Sequence, residues 1–237
     1  PDMSTDEQPH GVLFDVDGTL VDTSYLHVVA WWEALRESGH VVPMRQIHRG
    51  IGMGADQILD YLLGEDRDTA DDATMKAAHT ALYAAYWERL EPLPGAADLL
   101  RACAARGLHV VLASSAAEKE LAVLRKALDA DDAITAVTSG SDAERTKPAP
   151  DIVGVALERS GLAAENVVFV GDSVWDVEAS SQLGIPCIGL TSGGLAASEL
   201  HDAGAVETYE YPADLLAKLD DSAIGDLRRD RPILPGG

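Results

Sequence analysis

Cysteine, positive charge and long apolar runs are all scarce in this chain of 237 residues. Its only two cysteines, Cys103 and Cys187, lie far apart in apolar segments and form no CxxC pair. They read as reduced core residues of a cytoplasmic protein rather than as metal ligands or a disulfide framework. Lys plus Arg number 18 against 40 Asp plus Glu, a formal net charge of -22. Such a field repels phosphate backbones, so no general nucleic-acid binding is expected. The longest apolar runs, at 110–113 and 167–170, fall far short of the ~20 residues that cross a bilayer, and no membrane association is expected. The first seven residues, Pro-Asp-Met-Ser-Thr-Asp-Glu, are acidic. With no basic, apolar leader before the first apolar run, neither a signal peptide nor a lipid anchor is expected.

What is present points to an ordered protein. Hydrophobic residues make up 46% and charged residues 24%, enough to bury a core. The length suits one domain, or one domain carrying an insertion, at ~100–200 residues per domain. Short apolar or β-branched runs at 11–16, 109–113, 134–138, 167–171, 187–190 and 205–209 read as strands. Between the later ones, Ala/Leu/Glu-rich stretches at 95–106, 116–128, 149–161, 175–183, 195–203 and 212–220 have helical spacing. Near-continuously apolar strands alternating with helices predict an α/β fold, a doubly wound parallel (Rossmann-like) sheet covered on both faces.

One interval breaks that rhythm. Residues 23–90 hold no good strand but four helical stretches, at 23–38, 43–49, 54–63 and 69–90. In the last of these Met75, Ala78, Leu82, Ala85 and Tyr86 recur near a 3.6 period and predict an apolar stripe. The interval reads as an inserted all-helical subdomain over 23–91, with residues 1–22 and 92–237 forming the α/β core. Glu91-Pro92-Leu93-Pro94-Gly95 reads as its return linker, because such a run cannot continue a helix. Trp31, Trp32 and Trp87 are expected in the core of the insertion rather than as stacking platforms. The Pro- and Gly-containing tail from Arg228 is expected to fray.

In an open α/β sheet, ligands bind at the carboxyl ends of the strands, and the residues placed there form a pattern. The first strand ends in Asp15-Val16-Asp17-Gly18-Thr19, the second in Ser114-Ser115. After the third comes Thr146-Lys147-Pro148, a lysine just ahead of a helix, and the fourth ends in Gly171-Asp172-Ser173, followed by Asp176. Taken singly, an Asp or Ser here reads equally as a helix cap and the lysine as a surface residue. Taken together they occupy the ends of successive strands and converge on one crevice. Converging carboxylates with few bases call for a hard cation, and oxygen donors suit Mg²⁺. Cation, lysine, hydroxyl and backbone N–H groups together suit a phosphoryl group. One carboxylate there can attack phosphorus, and a second acid can protonate the leaving oxygen and later activate water.

The segments DVDGT at 15–19, a strand ending in Ser114, TKPAPD around Lys147 and GDSVWD at 171–176 resemble the four ordered motifs of the haloacid dehalogenase-like (HAD) superfamily. The resemblance covers nearly the whole chain, and the inserted helices resemble that family's small helical cap. It implies Asp15 as nucleophile and metal ligand, and Asp17 as general acid/base with its backbone carbonyl on Mg²⁺. It implies phosphate contacts from Ser114, Ser115, Lys147, Gly18 and Thr19, and metal ligation by Asp172. Asp176, with Ser173 beside it, would orient Lys147 or water rather than bind the metal. Intact DxDGT matches the phosphatases and phosphomutases rather than the dehalogenases.

The segment from Asp22 to His27, followed by Ala30-Trp31, resembles the group of β-phosphoglucomutase, small-sugar phosphatases and phosphoglycolate phosphatase. That likeness makes His27 and Arg49 the candidates to approach substrate from the cap. Each also has a plainer reading, His27 as a helix residue packed elsewhere and Arg49 as a cation at a helix C-terminus. Ser192-Gly193-Gly194 reads as an ordinary strand-to-helix connection, with a phosphate loop as the alternative. The expected function is a Mg²⁺-dependent phosphatase acting on a small phosphorylated metabolite, a monomer or weak homodimer. A phosphomutase is the alternative, and a non-catalytic binding relative a further one.

Overall fold

The computed structural model describes residues 8–227; the tail from Arg228, expected to fray, lies outside the described residues. Six strands form one parallel sheet: β1 (Gly11–Phe14), β2 (His109–Ala113), β3 (Ala136–Thr138), β4 (Val167–Gly171), β5 (Cys187–Leu190) and β6 (Glu207–Tyr209). Their spatial order is β3-β2-β1-β4-β5-β6, with β1 paired to both β2 and β4. The chain therefore winds outward from β1 in one direction and returns to wind outward in the other.

Side chains alternate across the sheet, and both faces are dry. Val12, Phe14, Val110, Leu112, Val168 and Val170 enter one apolar cluster, while Leu13, Val111, Val167 and Phe169 enter another. This is why the inner strands are apolar throughout: burying each such side chain contributes ~1.5–3 kcal/mol. Cys103 and Cys187 are buried free thiols, one in each cluster.

Five α-helices fall between β1 and β2, the first four being α1 (Ser24–Glu37), α2 (Met44–Gly50), α3 (Ile58–Leu63) and α4 (Asp72–Ala84). These four share an apolar cluster that includes Val28, Trp31, Leu35, Ile47, Ile58 and Met75. The segments leading in and out lie side by side. Asp22 N–H donates to the Glu91 carbonyl (3.1 Å) and Leu93 N–H to that of Leu20 (2.8 Å). The remaining helices are α5 (Ala96–Ala105), α6 (Glu118–Leu128), α7 (Asp151–Ser160), α8 (Val174–Ser181), α9 (Ala197–Ala203), α10 (Pro212–Ala217) and α11 (Ala223–Asp226).

Three details differ from the sequence expectation. The buried line of α4 is Met75, His79 and Tyr83, not a stripe through Ala78 and Ala85; Ala85 is exposed. The His79 ring lies flat against Trp31 (centroids 4.2 Å apart, 14° between planes), so an aromatic stack buries a residue that a hydropathy pattern counts as polar. Trp31 does join the insertion's core, but Trp87 packs against the sheet-side cluster instead. Lys147 and Pro148 do not lead directly into a helix, because α7 starts only at Asp151.

Candidate active site

The switch in winding direction decides where chemistry can occur. Because β1 and β4 are neighbours, the chain segments leaving their carboxyl ends deliver Asp15 and Asp17 beside Asp172 and Asp176. Gly18 makes the turn with a φ of 75°, and a Cβ there would collide with Asp172 Oδ2 and Ser24 Oγ. Gly193, on the loop after β5, is held equally close, since its Cβ would strike the same Asp172 oxygen.

Lys147 is fully buried at the centre of this acidic group. Its ammonium donates to Asp15 Oδ1 and to Asp176 Oδ1, the latter at 2.7 Å. Asp176 Oδ2 is occupied as well, accepting from Ser173 N–H (3.0 Å) and Ser173 Oγ (2.7 Å) in the capping box that starts α8. Thr19 Oγ1 lies within donating distance of Asp15 Oδ2 (3.2 Å) and Asp172 Oδ1 (3.1 Å), tying these two carboxylates together. Burial pushes the Asp15 carboxyl up to about 7, with the nearby Asp176 and Asp17 charges adding to the rise and Lys147 opposing it. Burial and the same crowding of charge hold Asp172 well above the usual carboxylate range. Lys147 is held above the ordinary lysine value: burial alone would lower it, and Asp15 and Asp176 outweigh that effect.

Asp17 faces the other way, toward the inserted helices. Its Oδ1 accepts from Thr23 Oγ1 (2.7 Å) and contacts His27 Nε2 (3.2 Å). The same His27 nitrogen lies 3.5 Å from Glu120 Oε1, and His27 Nδ1 is 3.1 Å from His79 Nε2. Burial would lower the His27 pKa, but Asp17 and then Glu120 raise it above the ordinary histidine value. Burial and the His27 charge hold His79 well below that value. A doubly protonated His27 would donate from both ring nitrogens, with a neutral His79 accepting one of those bonds. Burial disfavours the Asp17 charge, yet the His27 and Thr23 hydrogen bonds prevail and hold its pKa below the usual range. Burial raises Glu120 to about 7, His27 countering and Asp17 adding to the rise.

A cavity of about 120 Å³ opens over Asp15 and Asp17, walled by His27, Trp31, His79 and Glu120. Ser115 reaches it, donating weakly to the Gly52 carbonyl (3.4 Å). Ser114 is fully buried, and its Oγ accepts the N–H of Ala116 (3.0 Å), capping the turn. Ser192 Oγ donates to the Gly18 carbonyl (2.7 Å), so the loop after β5 buttresses the Gly18 turn. Arg49 stands apart from the cavity: its guanidinium pairs with Glu199, and its carbonyl accepts Trp175 Nε1–H (2.9 Å). Of the cap candidates, His27 is brought to the aspartates and Arg49 is not.

Sequence reasoning passed over His79 and Glu120. The i, i+4 spacing of His79 and Tyr83 along a buried helix line was the one signal for the first. Glu120, in the first turn of α6, reads only as an acid favourable to the helix dipole. A further contact joins the helical insertion to the lysine segment: Asp56 accepts from Thr146 Oγ1 and from Thr146 N–H (3.2 Å).

The donor chemistry fits a hard divalent cation. Asp15, Asp172 and Asp176 each offer a carboxylate oxygen within 4.8 Å of the others, all buried. Both Asp176 oxygens serve Lys147 and Ser173, and a cation between Asp15 and Asp172 would share those carboxylates with Lys147 and Thr19. Among the described residues no helix is long and apolar enough to cross a membrane.

Comparison with known proteins agrees with this geometry. Residues 9–184 match the family model for haloacid dehalogenase-like hydrolases. The chain is 32% identical over 213 residues to a phosphoglycolate phosphatase of Escherichia coli O157:H7, covering 81% of this chain and 84% of that one. It is 29% identical over 234 residues to a phosphoglycolate phosphatase of Pseudomonas putida, covering 96% and 79%. Among solved structures, a hydrolase from Pseudomonas syringae superposes with a TM-score of 0.86 at 33% identity, covering 90% of this chain and 99% of that one. CbbY from Rhodobacter sphaeroides, solved in complex with phosphate, gives 0.74 at 25% identity, covering 90% and 100%.

Proposed function

This chain belongs to the haloacid dehalogenase-like hydrolases, and from that premise we propose a Mg²⁺-dependent phosphatase that hydrolyses a small phosphorylated metabolite through an aspartyl phosphate on Asp15. One observation carries the reading: Asp15 is a buried carboxylate that opens on the cavity, with Lys147 on one oxygen and Asp17 across the cavity floor. Relatives named phosphoglycolate phosphatase, at about 30% identity, support the reaction class.

In this reading one Asp15 oxygen attacks phosphorus and the P–O bond to the substrate alcohol breaks. Asp17 would protonate the leaving oxygen, which requires the charge of the bound phosphoryl group to raise its pKa from the depressed value of the empty site, and its carboxylate would then take a proton from the water that cleaves the acyl phosphate. The hydrogen bonds from Thr23 and His27 favour its carboxylate form, suited to that second step. Lys147 neutralises Asp15 and stands ready to hold a phosphoryl oxygen, with Asp176 and the α8 capping box fixing it. Ser114 or Ser115 at the end of β2 would donate to a further oxygen. A cation held by Asp15, Asp172 and the Asp17 backbone carbonyl would supply charge neutralisation at the phosphoryl group. The helices over residues 23–91 would act as the cap, hinged at the paired linkers near Asp22 and Pro92.

A phosphomutase would need to grip a second phosphate, and no lysine or arginine lines the cavity among the described residues. That observation favours the phosphatase. The test is phosphate release from a panel of phosphomonoesters with Mg²⁺, repeated in excess EDTA. Release that depends on added Mg²⁺ is expected, and full turnover in EDTA would overturn the metal-dependent mechanism.

A further inference from the structure

Resting on that phosphatase reading, we propose that Glu120 makes this a phosphatase for esters whose alcohol portion carries a hydrogen-bond donor and no negative charge. The alcohol oxygen must lie at Asp17, the residue that protonates it, so the rest of the alcohol occupies the space beyond Asp17. That space is bounded by His27, Glu120, His79 and Trp31. Its acidic groups are the Asp17 and Glu120 carboxyls, with His27 between them at 3.2 and 3.5 Å, and Glu120 carries its charge above a pH of about 7. His27 is already shared by those two carboxylates and by His79. Lys147, fully buried behind Asp15, is engaged by Asp15 and Asp176. Arg49 is engaged by Glu199 outside the cavity.

A carboxylate or second phosphate on the alcohol would therefore meet Glu120 with no unengaged side-chain cation to offset it. A hydroxyl or ammonium would instead donate to Glu120. Specificity of this kind comes from a repulsive element as well as an attractive one. Glu120 lines the same cavity as Asp15 and Asp17, so a polar group close to the ester oxygen lies within its reach. The phosphoglycolate of the relatives' name carries the disfavoured group, so this chain is expected to part from that substrate.

The test uses three esters on one two-carbon skeleton: 2-hydroxyethyl phosphate, phosphoethanolamine and phosphoglycolate. With wild-type enzyme at pH 8.5, where Glu120 is charged, kcat/KM for at least one of the first two should exceed that for phosphoglycolate by about tenfold or more. The hydroxyl and ammonium arms distinguish a polyol-type from an amine-type substrate. In Glu120→Gln the ratio should fall toward unity, and because a ratio cancels the fraction of folded enzyme, partial misfolding does not affect it. A wild-type preference for phosphoglycolate, or a ratio unchanged in Glu120→Gln, overturns the inference. If p-nitrophenyl phosphate is hydrolysed but no ester of the series is, the inference also fails while the phosphatase reading stands. If none of the four is hydrolysed, the inference fails, and the phosphatase reading fails with it only if the wider panel of phosphomonoesters is also left intact.

Discussion

The cluster of Asp15, Asp172 and Asp176 and the cluster of Asp17, His27 and Glu120 lie side by side, yet they are held in different ways. The first is built wholly on the sheet core, its residues buried and fixed by a lysine, a threonine and a helix cap. The second spans two parts of the chain: Asp17 and Glu120 come from the core, but His27 comes from α1 and leans on His79 of α4. Movement of the inserted helices would leave the first cluster intact and take the second apart. In the proposed mechanism this divides the labour: the nucleophile, the lysine and the cation ligands sit in the cluster that cannot rearrange, and the acid/base Asp17 and recognition in the one that can.

The sharpest break of that comparison is Asp15→Asn. Burial already disfavours the Asp15 charge, so the fold should survive. kcat should fall by roughly ten-thousand-fold, about 5 kcal/mol of activation free energy. Phosphate release with unchanged circular dichroism checks both halves.

Lys147→Met comes next, and it should damage stability as well as turnover. It strands two buried carboxylates, and breaking one side of a buried ion pair costs about 3–5 kcal/mol. Urea unfolding measures this, and a loss under about 1 kcal/mol would show that Asp15 and Asp176 do not depend on the lysine.

In the second cluster, His27→Ala and His79→Ala should lower kcat/KM for the best ester by about ten- to a hundred-fold, roughly 1.4–2.7 kcal/mol. p-Nitrophenyl phosphate, which offers these residues no polar group, should lose less, its loss reporting the His27 contact with Asp17. Equal losses on both substrates would assign the histidines to folding, closure or support of Asp17 rather than recognition.

Arg49→Ala should be the mildest, since a half-exposed ion pair contributes about 0–1 kcal/mol. Glu199 is held below the ordinary glutamate value of 4.5, first by the Ala196 N–H and then by Arg49. A depressed carboxylate stabilises the fold above its unfolded pKa and loses that contribution as pH falls through the folded one. The cost of Arg49→Ala should therefore be present at pH 7 and vanish on the acid side of 4.5. Thermal melts at the two pH values decide this.

The two clusters were not equally legible in the sequence. Asp15, Asp17, Lys147, Asp172 and Asp176 stand at strand ends or just past them, where the apolar run of each strand marks the position of the residues beyond it. The inner strands and most helices were readable for the same reason, because burial on both faces leaves an unbroken apolar signature. Arrangement across the insertion was not readable. His79 is hidden by a stack on Trp31, and Glu120 becomes part of a cavity only because α1 lies across the first turn of α6. Thr19 and Ser114 were placed correctly at strand ends, yet their hydroxyls turn to the carboxylates and to a backbone N–H. A side chain's partner is a tertiary fact, which spacing along the chain does not encode.

The most direct measurement of the central claim is the crystal structure of the enzyme with Mg²⁺ and beryllium fluoride, a mimic of the aspartyl phosphate. The fluoride group is expected on an Asp15 carboxylate oxygen, with Lys147 beside it. Density on the hydroxyl of Ser114 or Ser115, with Asp15 still bound only to Lys147 and Thr19, would contradict it.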